Sequence, residues 1–121
     1  MKILQNSEVP IYKQIAAQFK ERILCGEISE GEYLPSIRGL ARDLKISVIT
    51  TMKAYEQLTE EGLISPVQGK GYIVNAQDRE MVREQYLRQL EQHLQNAIES
   101  AKVAGVSQEE LINIIKVLYD V

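Results

Sequence analysis

One cysteine and one histidine occur in 121 residues, and lysine and arginine are not in excess, the formal charge being −3. Each scarcity removes a class of function. A lone Cys25 excludes an intramolecular disulfide and a multi-cysteine zinc site, and His93 alone completes no metal-ligand cluster. No cofactor or metal is expected. Cys25 is read as a small apolar packer at a helix end and His93 as a surface helix residue. No apolar run approaches the roughly 18 residues that span a bilayer, so no membrane partner is expected. The first ten residues, MKILQNSEVP, contain no apolar stretch of a secretory leader, which places the chain in the cytoplasm. No nucleophile stands with a base at a useful spacing, and the Gly69-Lys70-Gly71 triplet lacks the strand-loop-helix setting of a phosphate loop. An enzyme is not expected. The acidic balance also argues against indiscriminate coating of nucleic acid, which is driven by neutralising phosphates.

The distribution of charge says more than its sum. Between Ile37 and Tyr55, Arg38, Arg42, Lys45 and Lys53 stand against Asp43 alone, whereas the acid gathers in the C-terminal third. An anionic partner should therefore meet the middle of the chain.

After Pro10, Ile11, Ile15, Phe19 and Ile23 recur four apart, the signature of an amphipathic helix with Pro10 in its first turn and Gly26 at its stop. A connector, EISEGEYLP, follows, broken by Gly31 and Pro35. Ser36 can cap a short helix to about Leu44, with Ile37, Leu40, Ala41 and Leu44 on its buried side. Lys45 and Ile46 make a tight turn. Ser47 caps the next helix, which buries Thr51, Ala54, Tyr55 and Leu58 and ends at Gly62; its other face holds Val48, Ile49, Thr50, Met52 and Lys53. Leu63 to Val67 and Tyr72 to Val74 are β-prone runs around Gln68-Gly69-Lys70-Gly71, a hairpin with a basic tip. Helical pattern resumes near Gln77. Leu87, Leu90, Leu94, Ala97, Ile98 and Ala101 keep three-and-four spacing up to Gly105, and Ser107 with Glu110 is a capping-box signature for a last helix bearing Leu111, Ile114, Ile115 and Leu118.

The expected fold is mostly α with a small β-hairpin wing: a winged helix-turn-helix domain over residues 1–75, followed by a C-terminal α-helical dimerisation hairpin over residues 76–121. A helix fits the major groove of B-DNA, about 12 Å wide, and its N-terminal residues reach the base edges. This explains why small hydroxyl and β-branched side chains follow Ser47. A threonine hydroxyl can bond a base edge, and apolar side chains can meet a thymine methyl. Arg38 is placed to hold the DNA backbone or a guanine, and Lys70 to enter the adjacent minor groove or meet its phosphates. A winged helix can instead dock on another protein without direct DNA readout. The basic middle and the wing lysine favour DNA, through a salt-dependent affinity.

The segments LPSIRGLARDL, ISVITTMKAYEQL, EEGLI and QGKGYIV, in that order and spacing, resemble the DNA-binding domain of the GntR family of bacterial transcription regulators, and the likeness extends upstream through PIYKQIAAQFKERI. The two-helix tail is similar to that of the YtrA-type subfamily. The resemblance implies a homodimeric repressor that binds an inverted repeat of double-stranded DNA, commonly beside an ABC-type transporter operon. It carries DNA contacts to Arg38, Ser47, Thr50 and the Gly69-Lys70-Gly71 wing. With their neighbours, the expected DNA-facing set is Ser36, Arg38, Arg42, Ser47, Val48, Ile49, Thr50, Lys53, Gln68, Gly69, Lys70 and Gly71. The chain departs from the family pattern in having Val48 where many members have Arg, Ile49 for Thr, Met52 for a basic residue, Gly39 for an acidic one and Lys45 for the glycine of the turn. With fewer guanine-reading arginines, A·T pairs are expected under Val48 and Ile49.

Two tail helices of about 27 and 14 residues are too few to enclose much of a small-molecule effector, and their stripes exceed what one winged domain can cover. Pairing with a second chain through Leu87, Leu90, Leu94, Ile98, Leu111, Ile115 and Leu118 is expected.

Overall fold

The periodicities and caps above become five helices and one two-stranded sheet in the computed structural model, which describes residues 1–120. The order is α1 (Ile11–Leu24), α2 (Ile37–Leu44), α3 (Val48–Glu60), β1 (Ile64–Val67), β2 (Gly71–Val74), α4 (Arg79–Ala104) and α5 (Gln108–Tyr119). Val121, the last residue of the expected tail, lies outside the described residues. The chain divides into two compact units, Met1–Asp78 and Arg79–Val121.

In the first unit, Ile15, Phe19 and Ile23 of α1, Leu40 of α2 and Ala54, Tyr55 and Leu58 of α3 meet Leu34, Leu63, Ile64 and Val74 in one core. Tyr55 is its centre: the ring is fully buried, edge-on to Phe19 at 5.9 Å and to Tyr72 at 5.2 Å between centroids. Its hydroxyl donates to the Pro35 carbonyl at 2.6 Å, so the one polar atom of the ring is satisfied. Burial, with the Tyr72 phenol beside it, pushes the Tyr55 phenol well above its ordinary range and keeps it a neutral donor.

The turn between α2 and α3 is closed by Lys45, which takes the left-handed conformation at φ 57°. The Ile46 N–H then reaches back to the Ala41 carbonyl at 3.0 Å, a Schellman arrangement that elsewhere employs glycine. Gly62 supplies the same stop to α3, with Leu63 N–H on the Leu58 carbonyl at 3.0 Å. That bond draws Leu63 into the helix exit, so β1 begins at Ile64 and not at the expected Leu63. At the other end of the hairpin Gly71 belongs to β2, paired with Val67, and the turn is closed by Lys70 N–H on the Val67 carbonyl at 2.9 Å with Gly69 at φ 76°. The connector before α2 is more than a connector: Tyr33 bridges Ile73, and Leu34 N–H bonds the Tyr72 carbonyl at 2.9 Å, which adds a third edge to the wing.

Residues 1–10 are tied down by two glutamines one turn apart on α1. The Gln18 amide accepts from Lys2 N–H (3.2 Å) and donates to Lys2 O (2.6 Å), while Gln14 accepts from Leu4 N–H (2.8 Å) and donates to Leu4 O (2.9 Å) and Val9 O (2.8 Å). Each side-chain amide thus imitates a strand partner for an extended segment. Cys25 is not the expected apolar packer; it is an exposed C-cap residue whose thiol donates to the Arg22 carbonyl at 3.5 Å.

The division between units falls after Asp78, three residues beyond the expected Asn75: Asn75 is bound to the winged unit through its N–H on Leu63 O at 2.9 Å and its amide on Gly62 O at 3.0 Å, and Gln77 is tied back to it, its side-chain amide donating to Asn75 O at 3.2 Å. Helix α4 accordingly starts at Arg79, two residues later than the expected Gln77, and α4 and α5 have 26 and 12 residues. Ser107 caps α5 by accepting from Glu110 N–H at 3.2 Å, but its hydroxyl also donates to the Glu110 carboxylate at 3.3 Å, so the carboxylate does not reach the cap's own N–H as a reciprocal box requires. Among the described residues of this unit only Ala101 is buried. No described helix is long and apolar enough to cross a membrane.

Candidate nucleic-acid interface

Helix α3 presents two faces of different chemistry. Thr51, Ala54, Tyr55 and Leu58 are fully buried. On the outward side of its first half lie Val48, Ile49 and Met52, of which Ile49 is 68% exposed, together with the exposed Lys53. Burying large apolar side chains stabilises a fold by roughly 1.5–3 kcal/mol each, so side chains of this size held in water mark a contact surface more than a folding device. The carboxylates of α3, Glu56, Glu60 and the capping Glu61, belong to its second half.

Helix starts in the first unit share this pattern. None of α1, α2 or α3 carries an acidic residue in its first turn, whereas α4 has Glu80 there and α5 has Glu109 and Glu110. Their partial positive ends are left without a local carboxylate, the electrostatic condition for approach of a phosphate.

The capping serines are committed before any ligand arrives. Ser36 Oγ accepts from Gly39 N–H at 3.0 Å. A Cβ on Gly39 would stand 2.8 Å from that oxygen, so the residue in place of the family's acidic one leaves the cap room. Ser47 Oγ accepts from Thr50 N–H at 3.0 Å and donates to Thr50 Oγ1 at 2.8 Å. One hydroxyl proton of this pair is thereby spent locally, and the other remains for donation to an acceptor such as O6, N7 or O4 of a base.

Arg38 and Arg42 lie exposed one turn apart on α2; Arg42 Nε has Asp43 at 3.8 Å, a contact between two largely solvated groups that contributes little. Gln68, Gly69, Lys70 and Gly71 are all exposed in the wing turn, and Lys70 has no carboxylate within ion-pair distance among the described residues. One residue here escaped the sequence reading. Tyr12, in the first turn of α1, lies under Lys53 with Nζ 5.8 Å from its ring centroid. Its signal was three-and-four spacing: with Ala16 it runs alongside the repeat that begins at Ile11 and joins it at Phe19 and Ile23, and its partly buried ring packs against the core.

In the second unit Leu87, Leu90, Leu94, Ile98, Ile115 and Leu118 are exposed and Leu111 is half-buried. Leu94, Ile98, Leu111, Ile112 and Ile115 line an open groove of about 430 Å³ between α4 and α5. Among the described residues no group of three or more His, Cys, Asp or Glu is arranged to hold a metal.

Comparison with known proteins fits this geometry. The sequence model of the family described as "Bacterial regulatory proteins, gntR family" matches residues 11–74. The HTH-type transcriptional repressor YtrA of Bacillus subtilis (strain 168) is 35% identical over 111 residues, which cover 92% of this chain and 85% of that one. The solved structure of YtrA from Sulfolobus acidocaldarius, a GntR-family transcription factor, is 38% identical with a TM-score of 0.60 and covers 99% of this chain and 97% of that one. AraR(DBD) in complex with an operator is 26% identical with a TM-score of 0.56, covering 61% of this chain and 95% of that one.

Proposed function

Since the chain belongs to the gntR family of bacterial regulatory proteins and is a DNA-binding transcription regulator, not an enzyme, we propose that it acts in the cytoplasm as a homodimeric repressor of an inverted-repeat operator. The observation that carries this reading is the first half of α3, exposed, free of carboxylates and apolar where a thymine methyl would lie. Val48 and Ile49 meet the methyls of A·T pairs, Thr50 donates to a base acceptor, and Ser36 and Ser47 hold the helix starts against phosphate. Arg38 and Arg42 contact the backbone or a guanine, Lys53 a phosphate, and the Gln68 to Gly71 turn, through Lys70, the neighbouring minor groove. The tail stripes of two copies, from Leu87 to Leu118, join in a twofold interface that sets the spacing of the half-sites. The similarity to the repressor YtrA supports repression, and the resemblance of the tail to the YtrA-type subfamily implies a transporter operon as target.

Selection of bound sites from randomised duplex DNA tests the reading. The expected product is an inverted repeat with half-sites about one helical turn apart, A·T pairs under Val48 and Ile49, and an affinity that falls steeply with salt. Recovery of only G·C at those positions would overturn the base assignment. No enrichment at any salt would instead favour a winged helix that docks on protein.

A further inference from the structure

Lys53 is the one cation of α3. No carboxylate lies within ion-pair distance of it among the described residues, and its ammonium lies against the Tyr12 ring, 5.8 Å from the centroid. Tyr12 comes from a different helix, and its side chain packs on the core, so its ring is a fixed platform beside a long and flexible side chain. The choice of partner matters. A carboxylate would orient the lysine and also cancel its charge, whereas a ring face attracts the ammonium through its quadrupole and leaves the full charge for a third group.

We infer that Tyr12 is a positioning residue for DNA binding: its ring holds the Lys53 ammonium, still fully charged, where α3 meets a phosphate of the operator. This rests on the reading of α3 as the groove-facing helix. Its consequence is that a residue touching no base controls part of the salt-dependent affinity. Because the ring carries the effect, phenylalanine should replace tyrosine, and because it acts through Lys53, its removal should have no effect once Lys53 is gone.

The full-length chain is titrated over a range of salt with the tightest duplex it selects from randomised DNA, beside Tyr12→Phe, Tyr12→Leu, Lys53→Ala and the Tyr12→Leu/Lys53→Ala pair. Lys53→Ala should reduce the log–log salt slope by about 1, the loss of one phosphate contact. Tyr12→Leu should weaken binding by about three- to tenfold, the range of a cation–π contact of moderate exposure, and lower the slope in the same direction. Tyr12→Phe should bind as the unaltered chain does, and the paired variant as Lys53→Ala does. A Tyr12→Leu chain with unchanged affinity, a Tyr12→Phe chain as weak as Tyr12→Leu, or an equal further loss in the Lys53→Ala background would each overturn the inference. The unaltered protein gives a check that needs no variant: the Lys53 Hε protons should resonate upfield of those of the other lysines through the ring current, and ordinary shifts would overturn it. If the unaltered chain selects no duplex, the reading of α3 fails and this inference with it; if it binds and only the Tyr12 expectations fail, the reading of α3 stands.

Discussion

The two units of this chain solve the burial problem in opposite ways. Met1–Asp78 buries Ile15, Phe19, Ile23, Tyr55, Leu58 and Ile64 almost completely and leaves a short run of apolar residues outward at the start of α3. Arg79–Val121 leaves Leu90 at 50% and Leu118 at 66% exposure and buries only Ala101 among its described residues. Helix starts differ in the same sense, acid-free in the first unit and acidic in the second. The difference separates a unit that buries its large apolar side chains internally from one that leaves its apolar stripes exposed, as a contact surface would be.

The largest effect should come from charging the tail. Leu94→Asp, or Leu90→Asp, is expected to leave a folded winged unit but give a monomer mass in sedimentation equilibrium. Loss of the second half-site should lower affinity for the inverted repeat by about two orders of magnitude or more, as expected when a linked second binding event is removed. An unchanged dimer mass from both variants would break the comparison, because the tail's exposed stripe would then be no interface.

The reverse test acts on the first unit. Phe19→Ala removes the edge of the aromatic stack on Tyr55 and should destabilise by about 3–5 kcal/mol, as other deletions of buried aromatic side chains do. Its loss of thermal midpoint should be the same at every protein concentration, whereas the Leu94→Asp effect should depend on concentration, since only the latter removes a bound partner. A concentration-dependent Phe19→Ala effect would mean that the winged unit too relies on a second chain.

How much of this was legible depended on sequence distance. The helices and their caps could be read because each signal is local: Ser36 to Gly39, Ser47 to Thr50 and Ser107 to Glu110 are three-residue relations. The clamp of residues 2 to 9 on α1 could not, because Gln14 and Gln18 look like an ordinary polar face and their partners lie up to 16 residues away. Tyr33 had the same invisibility, a connector residue until Ile73 came beside it. At the candidate site, sequence pattern named the outward residues of α3 but not their internal commitments. That Ser47 spends its hydroxyl on Thr50, and that Lys53 leans on Tyr12, depends on side-chain geometry that no spacing encodes.

The smallest expected effect sharpens the first unit's side of the comparison. Lys45 holds a left-handed backbone that costs a side-chain-bearing residue roughly 1–2 kcal/mol. Lys45→Gly removes that strain but adds conformational freedom to the unfolded chain worth roughly 0.5–1 kcal/mol. The balance should therefore be a stabilisation of about 0.5–1 kcal/mol, read as a higher denaturant midpoint with an unchanged slope. Because the Ile46 N–H still closes on Ala41, the angle between α2 and α3 should not change, and selected DNA sites should keep their sequence. A stability gain accompanied by altered base preference would show that the lysine at this turn acts on the DNA, and that the first unit's strain has a purpose beyond its fold.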